Sequence, residues 1–232
     1  MPKRIQMRGP LIPNNSQEAY DYFGMEATSA KSITEALPED GSDVVIEVNS
    51  NGGLVTVGSD IYTTLKNYSG HVTVEVTGMA ASACSVAIMG ADKVVISPTA
   101  QIMIHKALLN YVSGNSDDLE SAANALKASD RGIINAYKAK TGLSEDELLE
   151  LMTNETYMSA DEAVEKGFAD EVMTFDEQQA VASIGNGLLP QAVIDDYFAN
   201  HGNKRKQEIE AMKREIEKEE ILQGLYDLHP KS

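Results

Sequence analysis

Valines alternate with polar residues at Val72, Val74 and Val76, the period of two that marks a β-strand with one covered face. Val44-Val45-Ile46-Glu47-Val48 is more continuously apolar and predicts a strand buried on both sides. Val94-Val95-Ile96 and Ile102-Met103-Ile104 predict two further short strands. Between these runs the period lengthens to that of a helix. Residues 14–37 read as helix-rich, with apolar residues at helical spacing over 29–37. Residues 55–67 return as a helix through Ile61 and Leu65, and residues 82–89 form a helix of small and apolar residues. The longest periodic segment, 117–140, carries Leu119, Ala122, Ala123, Leu126, Ile133, Ile134 and Tyr137 along one stripe. Asp117 followed by Glu120 gives it a cap-like start, and Thr141-Gly142 ends it. Strand, helix and short strand repeating in this order indicate an α/β fold with parallel pairing.

Both ends of the chain break this pattern. Residues 1–13 are short, basic and bounded by Pro2, Pro10 and Pro13, which suits an edge strand or arm. From about 176 the composition shifts. Residues 184–190 read as a linker, and residues 204–220 as a helix with six basic and six acidic side chains. Ile209, Met212 and Ile216 make too short a seam for a coiled coil, so this segment reads as a solvated helix or a docking element. The expected organisation is an arm at 1–13, a globular domain at 14–175, and a linker with a charged helical tail at 176–232.

Composition narrows the function classes. A chain of 232 residues can bury one substantial core. Its net charge of −17 argues against a nucleic-acid partner, whose phosphates it would repel. No apolar run approaches the roughly 20 residues that span a bilayer, so no membrane partner is expected. The first residues lack the apolar stretch of a signal peptide, which makes the cytoplasm the expected location. The single cysteine, Cys84, excludes an internal disulfide framework and fits a reducing compartment. His71, His201 and His229 are scattered without a cysteine–histidine cluster, and no cofactor or metal is expected.

The candidate chemistry lies at Gly78-Met79-Ala80-Ala81-Ser82-Ala83. Ser82 stands where a strand gives way directly to a helix. A helix N-terminus gathers unpaired N–H groups and partial positive charge, which favour a nearby alkoxide or oxyanion. The next apolar strand ends in Met103-Ile104-His105, which presents a base. This pairing reads as a serine hydrolase. Ser85 competes as nucleophile but lies one turn deeper, where a hydroxyl usually bonds back to a carbonyl. Cys84 lies among small residues of a core helix, where an inert buried thiol is expected.

These motifs resemble the proteolytic subunit family of the Clp protease, ClpP. The family's Gly-x-Ala-Ala-Ser nucleophile motif, Pro-containing turn and Met-Ile-His base motif match Gly78–Ser82, Ser97-Pro98-Thr99 and Met103–His105. Asn49-Ser50-Asn51-Gly52-Gly53 resembles the Asn-Ser-Pro-Gly-Gly loop, with Asn51 where proline is usual. Tyr157 to Ala163 and Gly167 to Asp170 resemble the closing signature, and the likeness runs from roughly residue 15 to 175. Residues 20–30 resemble more narrowly phage-encoded relatives associated with head maturation. The resemblance implies a crotonase/ClpP-like superhelix of β-β-α units, with segment 117–140 as a handle helix projecting between stacked rings. It implies Ser82 as nucleophile, His105 as base, and the Gly53 and Ala83 N–H groups as oxyanion hole. The family's acid is an aspartate two residues before the closing aromatic, and this chain has Glu155 there. Asn154 and Asp161 are nearby alternatives.

The expectation is therefore a serine endopeptidase that assembles with itself into a ring, heptameric or a stacked pair of heptamers. Its substrate is a peptide or protein, in the narrower resemblance a phage capsid or scaffold protein, and its location is then the host cytoplasm. Coupling to an AAA+ unfoldase stays open, because residues 2–13 diverge from the family's axial loop. Two alternatives also stay open: a proteolytically weak scaffold or assembly component, and a crotonase-type acyl-CoA enzyme, because one fold hosts several chemistries.

Overall fold

The computed structural model describes residues 2–175, so the expected linker at 184–190 and charged helix at 204–220 lie outside the described residues. The valine-rich runs build the sheet. β1 (Lys3–Arg8), β2 (Val44–Ser50) and β3 (Val72–Ala81) lie side by side and parallel, in the register Ile5↔Ile46↔Val74. Residues 3–8 of the proposed edge strand or arm are this outermost strand, with Ile5 and Met7 buried. Helices carry the chain between parallel neighbours, as such pairing requires. α1 (Gln17–Tyr22) and α2 (Ala30–Ala36) follow β1, α3 (Val55–Asn67) follows β2, and α4 (Ala83–Ile88) follows β3. A reciprocal cap between Ser29 and Ser32 starts α2.

The sheet forks at β3. β2 covers one edge of this ten-residue strand, and two strands share the other. β4 (Lys93–Ile96) pairs with Thr73–Val76, whereas β5 (Gln101–Ile104) pairs with Met79–Ala81. Between them Ala100 N–H donates to Ser97 C=O at 2.9 Å, closing a turn with Pro98 at the position where its fixed φ is favoured. The chain thus leaves β3 and rejoins it further along. β6 (Thr156–Met158) pairs antiparallel with β5, and β7 (Glu171–Val172) extends the main sheet beyond β4. This is the mixed α/β architecture of the crotonase/ClpP-like fold.

α5 (Ser116–Thr141) is the long helix. Its cap is Asn115, whose side chain accepts from the N–H groups of Asp117 and Asp118, while Asp118 accepts from Asn115 N–H. The expected cap at Asp117 is therefore two residues late: Asp117 and Glu120 imitate the spacing, but Asn115 and Asp118 make the bonds. Gly142, at φ 74°, ends the helix. The apolar stripe is split between two environments. Ile133, Ile134, Ala136 and Tyr137 are buried in the core, whereas Leu119 is 47% exposed. α6 (Glu145–Thr153) and α7 (Ala160–Glu165) begin with capping boxes, Ser144 with Glu147 and Ser159 with Glu162. No described helix is long and apolar enough to cross a membrane.

Candidate active site

The fork decides where the chemistry sits. β3 and β5 run parallel, with Ala81 beside Met103, so their C-terminal ends emerge together. Ser82 follows one strand and His105 the other. Ser82 N–H donates to Met103 C=O at 2.9 Å, which fixes the crossing point. His105 Nε2 then lies 2.7 Å from Ser82 Oγ. This is hydrogen-bond distance, the separation that a hydroxyl nucleophile and a general base would require. Ser82 is at φ 55° and ψ −127°, outside the regions that side-chain-bearing residues occupy easily. Holding such a residue costs on the order of 1–3 kcal/mol, and a sharp strand-to-helix turn of this kind exposes a nucleophilic hydroxyl.

The Gly52-Gly53 loop lies against the same turn. Gly52 has φ 90°, and a Cβ there would stand 2.7 Å from Ser82 Cβ and 2.9 Å from Ala83 N. Only a residue without a side chain allows this approach. Ser50 fixes the loop by donating its hydroxyl to Gly9 C=O at 2.6 Å and accepting Gly52 N–H at 3.1 Å. Leu11 adds two backbone bonds, donating to Gly52 C=O and accepting from Leu54 N–H. Gly53 N–H has no acceptor among the described residues. Ala83 is the first residue of α4, so its N–H has no partner within that helix. Two free donors thus flank the serine beside a cleft of about 690 Å³. Its lining is mostly apolar and includes Leu11, Ile12, Leu54, Met103, Ile133 and Tyr137.

The family model for Clp protease matches residues 26–176. The chain belongs to the Clp protease family. Proteolytic subunit 1 of the ATP-dependent Clp protease of Chlamydia trachomatis serovar D is 32% identical over 162 residues, covering 65% of this chain and 84% of that one. The same subunit of Chlamydia muridarum is 32% identical over 174 residues, covering 70% and 91%. The Clp proteolytic subunit of Deinococcus radiodurans is 34% identical over 134 residues, covering 56% and 65%. As a member of the Clp protease family, the protein is a serine-type peptidase.

The other expected residues of this Clp protease family member fall as follows. The β5–β6 ladder ends at the pair Ile104 and Thr156, and His105 and Glu155 are the residues next to that pair on the two strands. Glu155 is at φ 46° with an exposed side chain, and no hydrogen bond joins it to His105 among the described residues. Asn154 caps the C-terminus of α6, and Asp161 lies in the first turn of α7; both are exposed. Ser82, His105, Gly53 and Ala83 come together, and the three candidates for the third role stay outside the bonded set. Cys84 is fully buried, and desolvation pushes its thiol pKa up to about 12, so it stays protonated. Ser85 is buried and donates its hydroxyl to Ser82 C=O at 2.6 Å.

Sequence reasoning missed three contributors. Residues 10–13 and Tyr20 line the cleft, yet the sequence reads the first as part of an arm and gives neither a place at the site. Asp130 of α5 accepts Ala107 N–H at 2.8 Å and steadies the loop that follows His105. Tyr137, read as one more apolar position of a helical stripe, brings a hydroxyl to Ser85 at 2.8 Å. A phenol on a buried stripe needs a hydrogen-bond partner, and that was the available signal.

Proposed function

We propose that this protein is a serine endopeptidase whose nucleophile is Ser82 and whose general base is His105. The carrying observation is the 2.7 Å contact between Ser82 Oγ and His105 Nε2 at a strained strand-to-helix turn. Ser82 Oγ attacks the peptide carbonyl carbon while its proton passes to Nε2. The carbonyl oxygen becomes an oxyanion facing the N–H groups of Gly53 and Ala83, where each donor is worth about 3 kcal/mol of transition-state stabilisation. Collapse breaks the C–N bond, the amine leaves with the proton from His105, and water then releases the acyl group by the reverse sequence.

Glu155 is the acid in this reading. It adjoins the last pair of the β5–β6 ladder, as His105 does on the other strand, and its exposed side chain would have to turn toward Nδ1 to orient the ring. The protein assembles with itself into a heptameric ring or a stacked pair, using the exposed N-terminal half of α5. Its substrates are proteins of a phage head, capsid or scaffold, and it works in the host cytoplasm. Its relatives are named as proteolytic subunits of an ATP-dependent protease, which supports protein substrates and an assembled state. A second reading, an assembly component of weak proteolytic activity, is favoured by one observation: the Glu155 carboxylate makes no bond to His105. Cleavage of a fluorogenic peptide and of a capsid-type protein by the full chain, set beside Ser82→Ala, separates the two. The peptidase reading expects turnover abolished by Ser82→Ala with assembly size unchanged. Equal turnover by the two proteins would place the nucleophile elsewhere.

A further inference from the structure

Ser82 occupies a backbone conformation that persists only where its surroundings over-determine it. Its amide is held by Met103 C=O. Its carbonyl accepts three donors: Ser85 N–H at 3.0 Å, Val86 N–H at 3.4 Å and Ser85 Oγ at 2.6 Å. The first two are backbone donors that any helix start supplies. The third is the shortest and depends on the side chain.

Proton counting orders the rest of the network. A serine hydroxyl has one proton, and a carbonyl can only accept. Ser85 therefore donates to Ser82 C=O, and the 2.8 Å contact between Ser85 Oγ and the Tyr137 hydroxyl has Tyr137 as donor. The result is a relay from Tyr137 O–H through Ser85 O–H to Ser82 C=O. It joins α5 to the turn that carries the nucleophile. Ser85 is 0% and Tyr137 1% exposed, so water does not compete for these bonds. A hydroxyl that accepts one hydrogen bond donates a stronger one, and low local dielectric adds to this. Burial also pushes the Tyr137 pKa upward, so the first donor keeps its proton through neutral and mildly alkaline pH.

We propose that Ser85 and Tyr137 are positioning residues, which hold the Ser82 carbonyl and, through it, the strained backbone that aims Oγ at His105. The competing explanation is that Tyr137 is only a packed ring, set edge-on to Phe168 at 5.3 Å, whose hydroxyl finds a convenient partner. The two explanations differ in what they change. A packing role alters melting temperature and leaves turnover of the folded enzyme alone. A positioning role lowers the acylation rate and spares substrate binding.

The inference rests on Ser82 being the nucleophile, so its test begins with fluorophosphonate labelling of the full chain, mapped by peptide mass. Tyr137→Phe removes one oxygen and keeps the ring; Ser85→Ala removes the hydroxyl that touches Ser82. Both variants should acylate and turn over about tenfold more slowly, equivalent to about 1.4 kcal/mol of barrier, with KM changed less than about twofold. The pH midpoint of kcat/KM should not move, because His105 keeps its surroundings. The double variant should be no slower than Ser85→Ala, because Tyr137 acts only through Ser85. If Ser85→Ala does not fold, Tyr137→Phe decides alone. Wild-type labelling at Ser82 with unchanged rates in the variants would overturn the inference and leave the peptidase reading standing. Wild-type protein that takes no label at Ser82 would overturn both.

Discussion

Replacing Gly52 by alanine separates catalysis from folding more sharply than most single changes here. The new methyl carbon would stand 2.6 Å from Ala81 O, 2.7 Å from Ser82 Cβ and 2.9 Å from Ala83 N. Two of these are backbone atoms of the nucleophile turn and cannot swing aside like a flexible side chain. The residue also has φ 90°, which an alanine adopts at a cost of about 1–3 kcal/mol. A loss near 2 kcal/mol lowers the melting temperature by about 4–8 °C in a domain of this size, which leaves the protein folded at 25 °C. Activity should suffer more. The clash is relieved by moving the loop away from Ser82, and the loop carries the Gly53 N–H. Losing one such donor lowers kcat by about 100- to 1000-fold. Hydrolysis of a fluorogenic peptide at 25 °C, with melting followed by calorimetry, measures both effects. Gly132→Ala is the control, because a Cβ there meets nothing within 4 Å and sits inside α5. It should raise stability by about 1 kcal/mol and leave turnover unchanged. A Gly52→Ala enzyme within threefold of wild-type kcat would refute the role given to this loop.

Glu155→Gln should lower turnover about a hundredfold or more with KM little changed, because an amide favours the wrong imidazole tautomer and cannot stabilise the imidazolium. Steady-state kinetics beside Glu155→Asp, expected to retain activity, checks this; equal activity of Glu155→Gln and wild type would leave a Ser82–His105 dyad. Leu119→Asp combined with Leu126→Asp should reduce the sedimenting species to a smaller assembly with an unchanged circular dichroism spectrum, since a charge buried at an interface costs several kcal/mol. Ile133 is 5% exposed within the domain core, so charging it should unfold the protein and cannot report on assembly. The Glu162 carboxyl pKa is lowered by the Ser159 hydroxyl and then by its N–H, a stabilisation complete above the ordinary value of 4.5 and lost as pH falls through the lower folded value. Ser159→Ala should therefore lower the melting temperature most near neutral pH, the difference narrowing at acid pH to what loss of the cap on Glu162 N–H leaves; a constant difference across the range would exclude the linkage.

The sequence was most legible where one local signal had one structural meaning. Alternating valines at 72, 74 and 76 and the span 55–67 became β3 and α3, because burial on one face leaves few other registers. The pairing of Ser82 with His105 is legible from a serine at a strand-to-helix turn and a histidine ending the next apolar strand, and the family resemblance strengthens it, but their contact is not. Periodicity shows two strands ending in a serine and a histidine, and the forked pairing of β3 is what brings those ends together. The α5 cap was misread because Asp117 and Glu120 repeat the spacing of Asn115 and Asp118, and side-chain bonds alone decide between them. Tyr137 was hidden for a different reason. A stripe analysis counts its ring and ignores its hydroxyl, whose partner lies 52 residues away. Glu155 stands where the resembled family has its aspartate, and periodicity cannot say where a longer carboxylate side chain points.

The central claim is that Ser82 is a nucleophile activated by His105. Intact-mass spectrometry of the full chain after fluorophosphonate treatment, with peptide mapping, tests it most directly. The account predicts one adduct per chain, located at Ser82, formed slowly in His105→Ala and absent from Ser82→Ala. An adduct at Ser85 or another serine, or equal labelling of wild type and Ser82→Ala, would contradict it.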